Sequence, residues 1–225
     1  MFKHWNLYEK CYLICGILTV SIISLINKST FISFCYSILC IFNAILIAKG
    51  KKSGYIFEIL ATAIYLYISF NERFYSEVII SLCILLPSSI YGLYNWSKNQ
   101  NSNSQTIVIH NLTKKEIIIP IISQIILYPL YYLMLKHFNT NLPYISALSI
   151  CVSALSFFFT AKLSTLGYVF FLLKDFVGLS LWIYPILNHQ SANITVFFTF
   201  ILYTINDCYG LKNWHKMQKE QNKTA

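Results

Sequence analysis

The chain has 225 residues, 56% of them hydrophobic and 11% charged, with a mean hydropathy of +0.57 and a formal net charge of +9. So little polar surface cannot solvate a compact domain, which excludes an ordinary soluble enzyme or binding module and points to a protein that lives in lipid. Cutting the chain where charges cluster leaves apolar stretches of about 17 to 25 residues, the length a helix needs to cross about 30 Å of hydrocarbon.

In chain order the sequence predicts helices near 11–27, 30–48, 54–71, 76–95, 116–136, 142–161, 164–187 and 193–211. The first, Cys11 to Ile26, runs straight into a second hydrophobic stretch and carries no small-residue cleavage pattern, so it reads as a membrane helix and not as a removable signal. The second, Phe31 to Ala48, is apolar throughout, which opposes the period-two alternation of a membrane β-barrel. The expected class is an all-α polytopic membrane protein. Seven cysteines (Cys11, Cys15, Cys35, Cys40, Cys83, Cys151 and Cys208) all fall within these spans without a CxxC pair, and are expected to be buried small hydrophobes.

The positive charges set an orientation. With eight spans, one side carries Lys3, Lys10, Lys49, Lys51, Lys52, Lys98, Lys114, Lys115, Lys162, Lys212, Lys216, Lys219 and Lys223, against Lys28, Arg73 and Lys136 on the other. Lys174 lies within a span. Cytoplasmic loops are the lysine-rich ones, so both termini are expected in the cytoplasm. The same placement assigns the net positive charge to anionic lipid headgroups, with no nucleic-acid partner implied.

An internal duplication is visible. The segment from Tyr91 to Gln100 (YGLYNWSKNQ) recurs from Tyr209 to Gln218 (YGLKNWHKMQ), identical at seven of ten positions. Ala48, Lys49, Gly54, Tyr55 and Phe57 are echoed by Ala161, Lys162, Gly167, Tyr168 and Phe170. Both copies enter from the same side, so the repeats are parallel, and two three-helix units of one orientation need an odd connector between them. The expected architecture is 3+1+3 plus an N-terminal helix. Residues 1–28 form that helix, 29–100 the first repeat, 101–138 a cytoplasmic loop and linker helix, 139–218 the second repeat and 219–225 a cytoplasmic tail. Parallel repeats of this kind typify carriers with a midplane substrate site, which makes transport the leading class. The repeated Gly-Leu-x-Asn-Trp reads first as an interfacial anchor, with Trp at headgroup depth.

Ionisable groups inside spans cost a few kcal/mol or more, so each needs a reason. Glu58, Lys174, Asp175 and Asp207 are such groups, while Glu77 begins a span and is expected at the interface. Lys174 and Asp175 are adjacent and point about 100° apart on a helix, so one faces the cavity and the other meets a neighbour or snorkels. Tyr168, Phe171 and Asp175, at i, i+3 and i+7, share one stripe and form a candidate site for a flat cationic ring, by ring stacking, cation–π attraction and a carboxylate counter-ion. Ordinary packing is the competing account of the stripe, and for Asp175 and Asp207 structural hydrogen bonding competes with cavity lining. Glu58 joins the candidate set. Asn43, Gln124 and Asn206 either line the same cavity or bind neighbouring helices. Trp182 and Tyr184 are expected to face lipid or to sit in the aromatic belt. No phosphate loop, zinc spacing or nucleophile–His–acid pattern occurs, and the five His residues scatter over ends and loops, so no enzyme activity, metal or cofactor is expected.

The stretches Ala48-Lys49-Gly50-Lys51 with Gly54-Tyr55-Ile56-Phe57, Pro87 with Tyr91 to Trp96, Leu142-Pro143 through Ala161-Lys162, and Tyr209 to Trp214 together resemble the PnuC family of bacterial vitamin and nucleoside transporters. The resemblance spans nearly the whole chain. It implies a SWEET-like fold in the bacterial inner membrane, commonly a homotrimer, moving nicotinamide riboside by facilitated diffusion with intracellular phosphorylation as the trap. Nicotinamide riboside members look like Trp-x-x-Trp-x-x-x-Asn where this chain has Tyr168, Phe171 and Asp175. The acid in place of the amide favours a cationic ligand, either the pyridinium of nicotinamide riboside or the thiazolium of thiamine, over neutral riboflavin. A non-transporting scaffold or sensor is the reading from another class.

Overall fold

The computed structural model describes residues 5–26, 30–71, 75–99, 107–140, 142–187 and 194–224. Lys3, Lys28, Arg73, His4, His189 and Gln100, which enter the sequence reading, lie outside them.

Local signals start the helices where the apolar stretches begin. Asn6 and Glu9 cap α1 (Leu7–Ile26) reciprocally, with Glu9 N donating to Asn6 Oδ1 at 2.9 Å and Asn6 N to Glu9 Oε2 at 2.8 Å. Thr30 caps α2 (Phe31–Ala48), and a Thr113–Glu116 capping box opens α6 (Lys114–His137). Between them lie α3 (Gly54–Asn71), α4 (Tyr75–Ile80) and α5 (Leu86–Lys98), followed after α6 by α7 (Pro143–Ala161), α8 (Leu166–Leu187) and α9 (Ile194–Thr224). A π-helical turn, Ser81–Leu85, joins α4 to α5 within one span. It sits just before Pro87, whose missing N–H and bulky ring disturb regular α-helical bonding there.

Eight helical stretches among the described residues are long and apolar enough to cross a membrane, and the fold is the expected 3+1+3 with an additional N-terminal helix. The first helices of the two repeats, α2 and α7, are the buried centre. Both bury small residues along their lengths, Ser33, Ser37, Cys40, Ala44 and Ala48 in α2 and Ser146, Ser149, Ser153, Ser156 and Thr160 in α7, which lets neighbouring backbones approach closely. The repeats interlock: α5 packs on α7 and α9 packs on α2. Linker helix α6 lies against α7 and, among its described residues, buries only Leu135.

The last helix departs from expectation. The apolar stretch ends near 211, yet α9 continues to Thr224. Its polar end is held by the segment after α5, with Ile109 N donating to Gln221 Oε1 (2.9 Å) and Gln221 Nε2 to Ile107 O (3.2 Å). That segment also ties the repeat-equivalent turns together. Ile107 N reaches Gly50 O at 3.3 Å and His110 N reaches Leu163 O at 2.9 Å. Gly50 and Leu163 stand 113 positions apart and share a left-handed backbone, φ 68° and 64°. Two expectations about tryptophan are corrected: Trp96 and Trp214 are fully buried within the protein and so present no indole to headgroups, and Trp182 is buried beside Tyr36 and Tyr65, not lipid-facing. All seven cysteines are free, but only Cys40 and Cys151 are buried; Cys11, Cys15, Cys83 and Cys208 are exposed on their helices.

Candidate functional site

Two small neighbouring cavities, of about 40 and about 60 Å³, are lined by residues of both repeats. Glu58, Phe157, Lys174 and Tyr203 line both and form the wall between them. The first cavity is completed by Asn43 and Ile47 from α2, Tyr55 from α3, Thr160 from α7, Tyr168 and Phe171 from α8, and Asp207 from α9. It draws on both repeats, as a site between two parallel units should.

Tyr55 and Tyr168 are repeat equivalents placed by the same local device. Each ring packs edge-on to a buried indole, Tyr55 on Trp96 (4.9 Å between centroids) and Tyr168 on Trp214 (5.1 Å). Each also lies over a glycine, Gly92 or Gly210, where a Cβ would run into the ring. Both hydroxyls are buried without a hydrogen-bond partner among the described residues. A buried hydroxyl left unpaired costs about 1–3 kcal/mol, and both of these belong to tyrosines that line the one cavity.

The charged part lies next to them. The Lys174 ammonium stands over Phe171 (4.9 Å), Tyr203 (5.2 Å) and Phe157 (5.3 Å), a cage of three rings. Its Nζ is 3.9 Å from Asp175 Oδ1. Asp175 is fully buried behind Lys174 and beside Asp207, outside the lining of either cavity. Carboxylates therefore outnumber cations: Glu58 and Asp207 line the first cavity and Asp175 backs it, against Lys174.

The structure brings Tyr168, Phe171, Glu58 and Asn43 together around this cavity. Asn43 also donates to Gly54 O at 3.1 Å, tying α2 to α3. Asn206 points elsewhere: it is fully buried and its amide reaches Ala44 O at 3.0 Å, a bond that holds α9 on α2, while its neighbour Asp207 faces the cavity. Gln124 lies on the linker helix and lines a separate cleft with Ser88, Tyr91 and Pro120. Glu77, expected at the interface, accepts from Tyr65 at 2.9 Å and lines the second cavity. Tyr55, Phe157 and Tyr203 are absent from the sequence-derived set, and Lys174 enters the sequence reading only as the alternative to Asp175 for the residue that faces the cavity. The duplication pointed to Tyr55, as the partner of Tyr168.

The sequence pattern of the nicotinamide mononucleotide transporter family matches residues 30–216. The chain belongs to that family. Members similar to it include the nicotinamide riboside transporter PnuC of Neisseria mucosa, 19% identical over 226 residues and covering 99% of this chain and 86% of the relative. The PnuC of Haemophilus influenzae is 22% identical over 187 residues, 82% and 78% of the two chains. A crystal structure of the vitamin B3 transporter PnuC superposes with a TM-score of 0.86 at 19% identity over 97% of this chain and 95% of that one, which shows the fold they share. The chain is thus a multi-pass membrane transporter of the nicotinamide mononucleotide transporter family, and the PnuC resemblance read from its sequence holds.

Proposed function

We propose that this protein takes up nicotinamide riboside across the bacterial inner membrane by facilitated diffusion, with phosphorylation inside the cell trapping the product. The observation that carries this reading is one cavity between the repeats that combines a three-ring cage and three nearby carboxylates with the unpaired hydroxyls of Tyr55 and Tyr168. Rings and carboxylates suit a pyridinium; the hydroxyls suit a ribose. The site offers a phosphate one cation, Lys174, against three carboxyl groups, which favours the riboside over the mononucleotide. The names of the two curated relatives agree with that choice.

The same reading places both termini in the cytoplasm, from the thirteen-to-three bias of the cations, and assembles the protein as a homotrimer, as the family resemblance implies. It takes 29–100 and 139–218 as the two repeats that move against each other.

The test is uptake of labelled nicotinamide riboside by proteoliposomes holding the purified protein. Saturable, ATP-independent equilibration is expected, reduced at least tenfold by Phe171→Ala and by Asp175→Asn in folded protein. Uptake of thiamine with none of the riboside would move the assignment to another cationic vitamin. No uptake of either would leave the scaffold reading.

A further inference from the structure

The cage proposed for the substrate cation already holds one. Among the described residues Lys174 is the only cation lining either central cavity, its side chain is 15% exposed, and its ammonium faces three aromatic rings with Asp175 at 3.9 Å. Rings plus a carboxylate are the groups a pyridinium would use. Two like charges cannot share that space in a low-dielectric interior. Lys174 also lines both cavities, of about 40 and about 60 Å³, each large enough for only a few waters. A nucleoside fits only if this lining moves.

An alternative place for the ammonium exists. The second cavity is bordered by Glu58 and Glu77, and the flexible four-carbon stem of lysine can turn between two sets of carboxylates. The barrier belongs to one repeat alone, because the position equivalent to Lys174 in α3 is Ala61.

We propose that Lys174 is a tethered competitor for the cation site: its ammonium holds the ring cage when substrate is absent, and a cationic ring binds by driving it toward Glu58 and Glu77. Charge selectivity follows, since a neutral analogue offers the cage nothing to replace the ammonium it would expel. This rests on the reading that the cargo is a cationic nucleoside.

Calorimetry on purified protein with nicotinamide riboside decides it, using wild type, Lys174→Met, Lys174→Gln and Lys174→Arg, each checked for monodispersity. Both neutral variants are expected to bind at least tenfold more tightly than wild type, and Lys174→Arg no more tightly. Unchanged or weaker binding in a folded neutral variant, tighter binding by Lys174→Arg, or failure of both neutral variants to fold overturns the displacement role and leaves the cationic-cargo reading standing where wild type binds. Binding by neither wild type nor any variant removes both. Titration with nicotinamide mononucleotide adds a further arm: if wild type binds it and Lys174→Met does not, Lys174 is a phosphate ligand and the proposal fails.

Discussion

Trp96 and Trp214 meet with ring centroids 5.5 Å apart, and each donates its indole N–H to the other repeat, Trp96 to Thr160 O and Trp214 to Ile47 O, both at 3.2 Å. Their neighbours do the same, Asn95 Nδ2 reaching Ala161 O and Asn213 Nδ2 reaching Ala48 O, both at 2.8 Å. These carbonyls belong to the last turns of α7 and α2; Thr160 O and Ile47 O also accept from Leu163 N and Gly50 N of the following turns, while the Asn amides take up Ala161 O and Ala48 O. Each repeat therefore caps the central helix of the other, and the duplicated Asn-Trp pair is a reciprocal clasp.

Because the clasp is symmetric, Trp96→Phe and Trp214→Phe are expected to cost similar amounts, about 2 kcal/mol each, from a lost hydrogen bond and a small void. Thermal unfolding in detergent would measure this. A large loss for one and none for the other would contradict the shared role.

Gly92 and Gly210 lie under the tyrosines of the cavity, and an added methyl at either would strike the ring, Tyr55 from Gly92 and Tyr168 from Gly210. Gly92→Ala and Gly210→Ala are expected to push those rings out of place, at about 1–3 kcal/mol of stability and with at least a tenfold loss of substrate affinity. Binding measured beside the melting temperature separates the two effects.

Much of the architecture was legible because it is written in lengths and repeated letters: a span needs about 20 apolar residues, and the copied Gly-Leu-x-Asn-Trp shows the unit and its direction. Rotation about each helix was not. From Tyr168 and Phe171 the helical stripe runs to Asp175 at i+7, about 20° from Tyr168, while Lys174 at i+6 lies about 120° away, yet it is Lys174 and not Asp175 that lines the cavity. Asn206 and Asp207 pose the same one-residue ambiguity, resolved when Asn206 bonded Ala44 O. Gln124 is polar and mid-span, but no local signal says that its helix stands outside the bundle against α7. Tryptophan before lysine at the end of an apolar run looks the same whether the indole meets headgroups or another helix. Only the bonds to α2 and α7 distinguish them.

The unpaired hydroxyls of Tyr55 and Tyr168 oppose stability and function in a measurable way. Removing an unsatisfied buried hydroxyl relieves its desolvation penalty, so Tyr55→Phe and Tyr168→Phe are each expected to leave the ligand-free protein as stable or about 1 kcal/mol more stable. If the hydroxyls meet the ribose, the same variants bind nicotinamide riboside about five- to tenfold less tightly. Equal affinity for the riboside in both variants would assign the hydroxyls another role.

The N-terminal helix is attached to the repeats by a buried ionic corner. Glu9 is 3% exposed, receives Lys49 Nζ on Oε2 at 2.5 Å and the Tyr209 hydroxyl on Oε1 at 2.8 Å, and lies near Trp5, which Lys49 faces at 5.1 Å. Tyr8 stacks on Tyr209 at 4.2 Å. The repeat-equivalent corner, Lys162 with Tyr91, lines an open cleft with Glu116, whose side chain is 36% exposed and interacts with His110 only at 3.9 Å. One corner is buried and the other is wet, so the same substitution should act unequally at the two. Glu9→Gln removes the carboxylate that Lys49 meets in a site of low dielectric and is expected to cost about 3 kcal/mol, read as a lower melting temperature. Glu116→Gln is expected to leave the melting temperature unchanged, because solvent already screens its pair. Equal effects of the two substitutions would mean that α1 is held by its apolar contacts with α2 alone, such as Gly16 against Ile41.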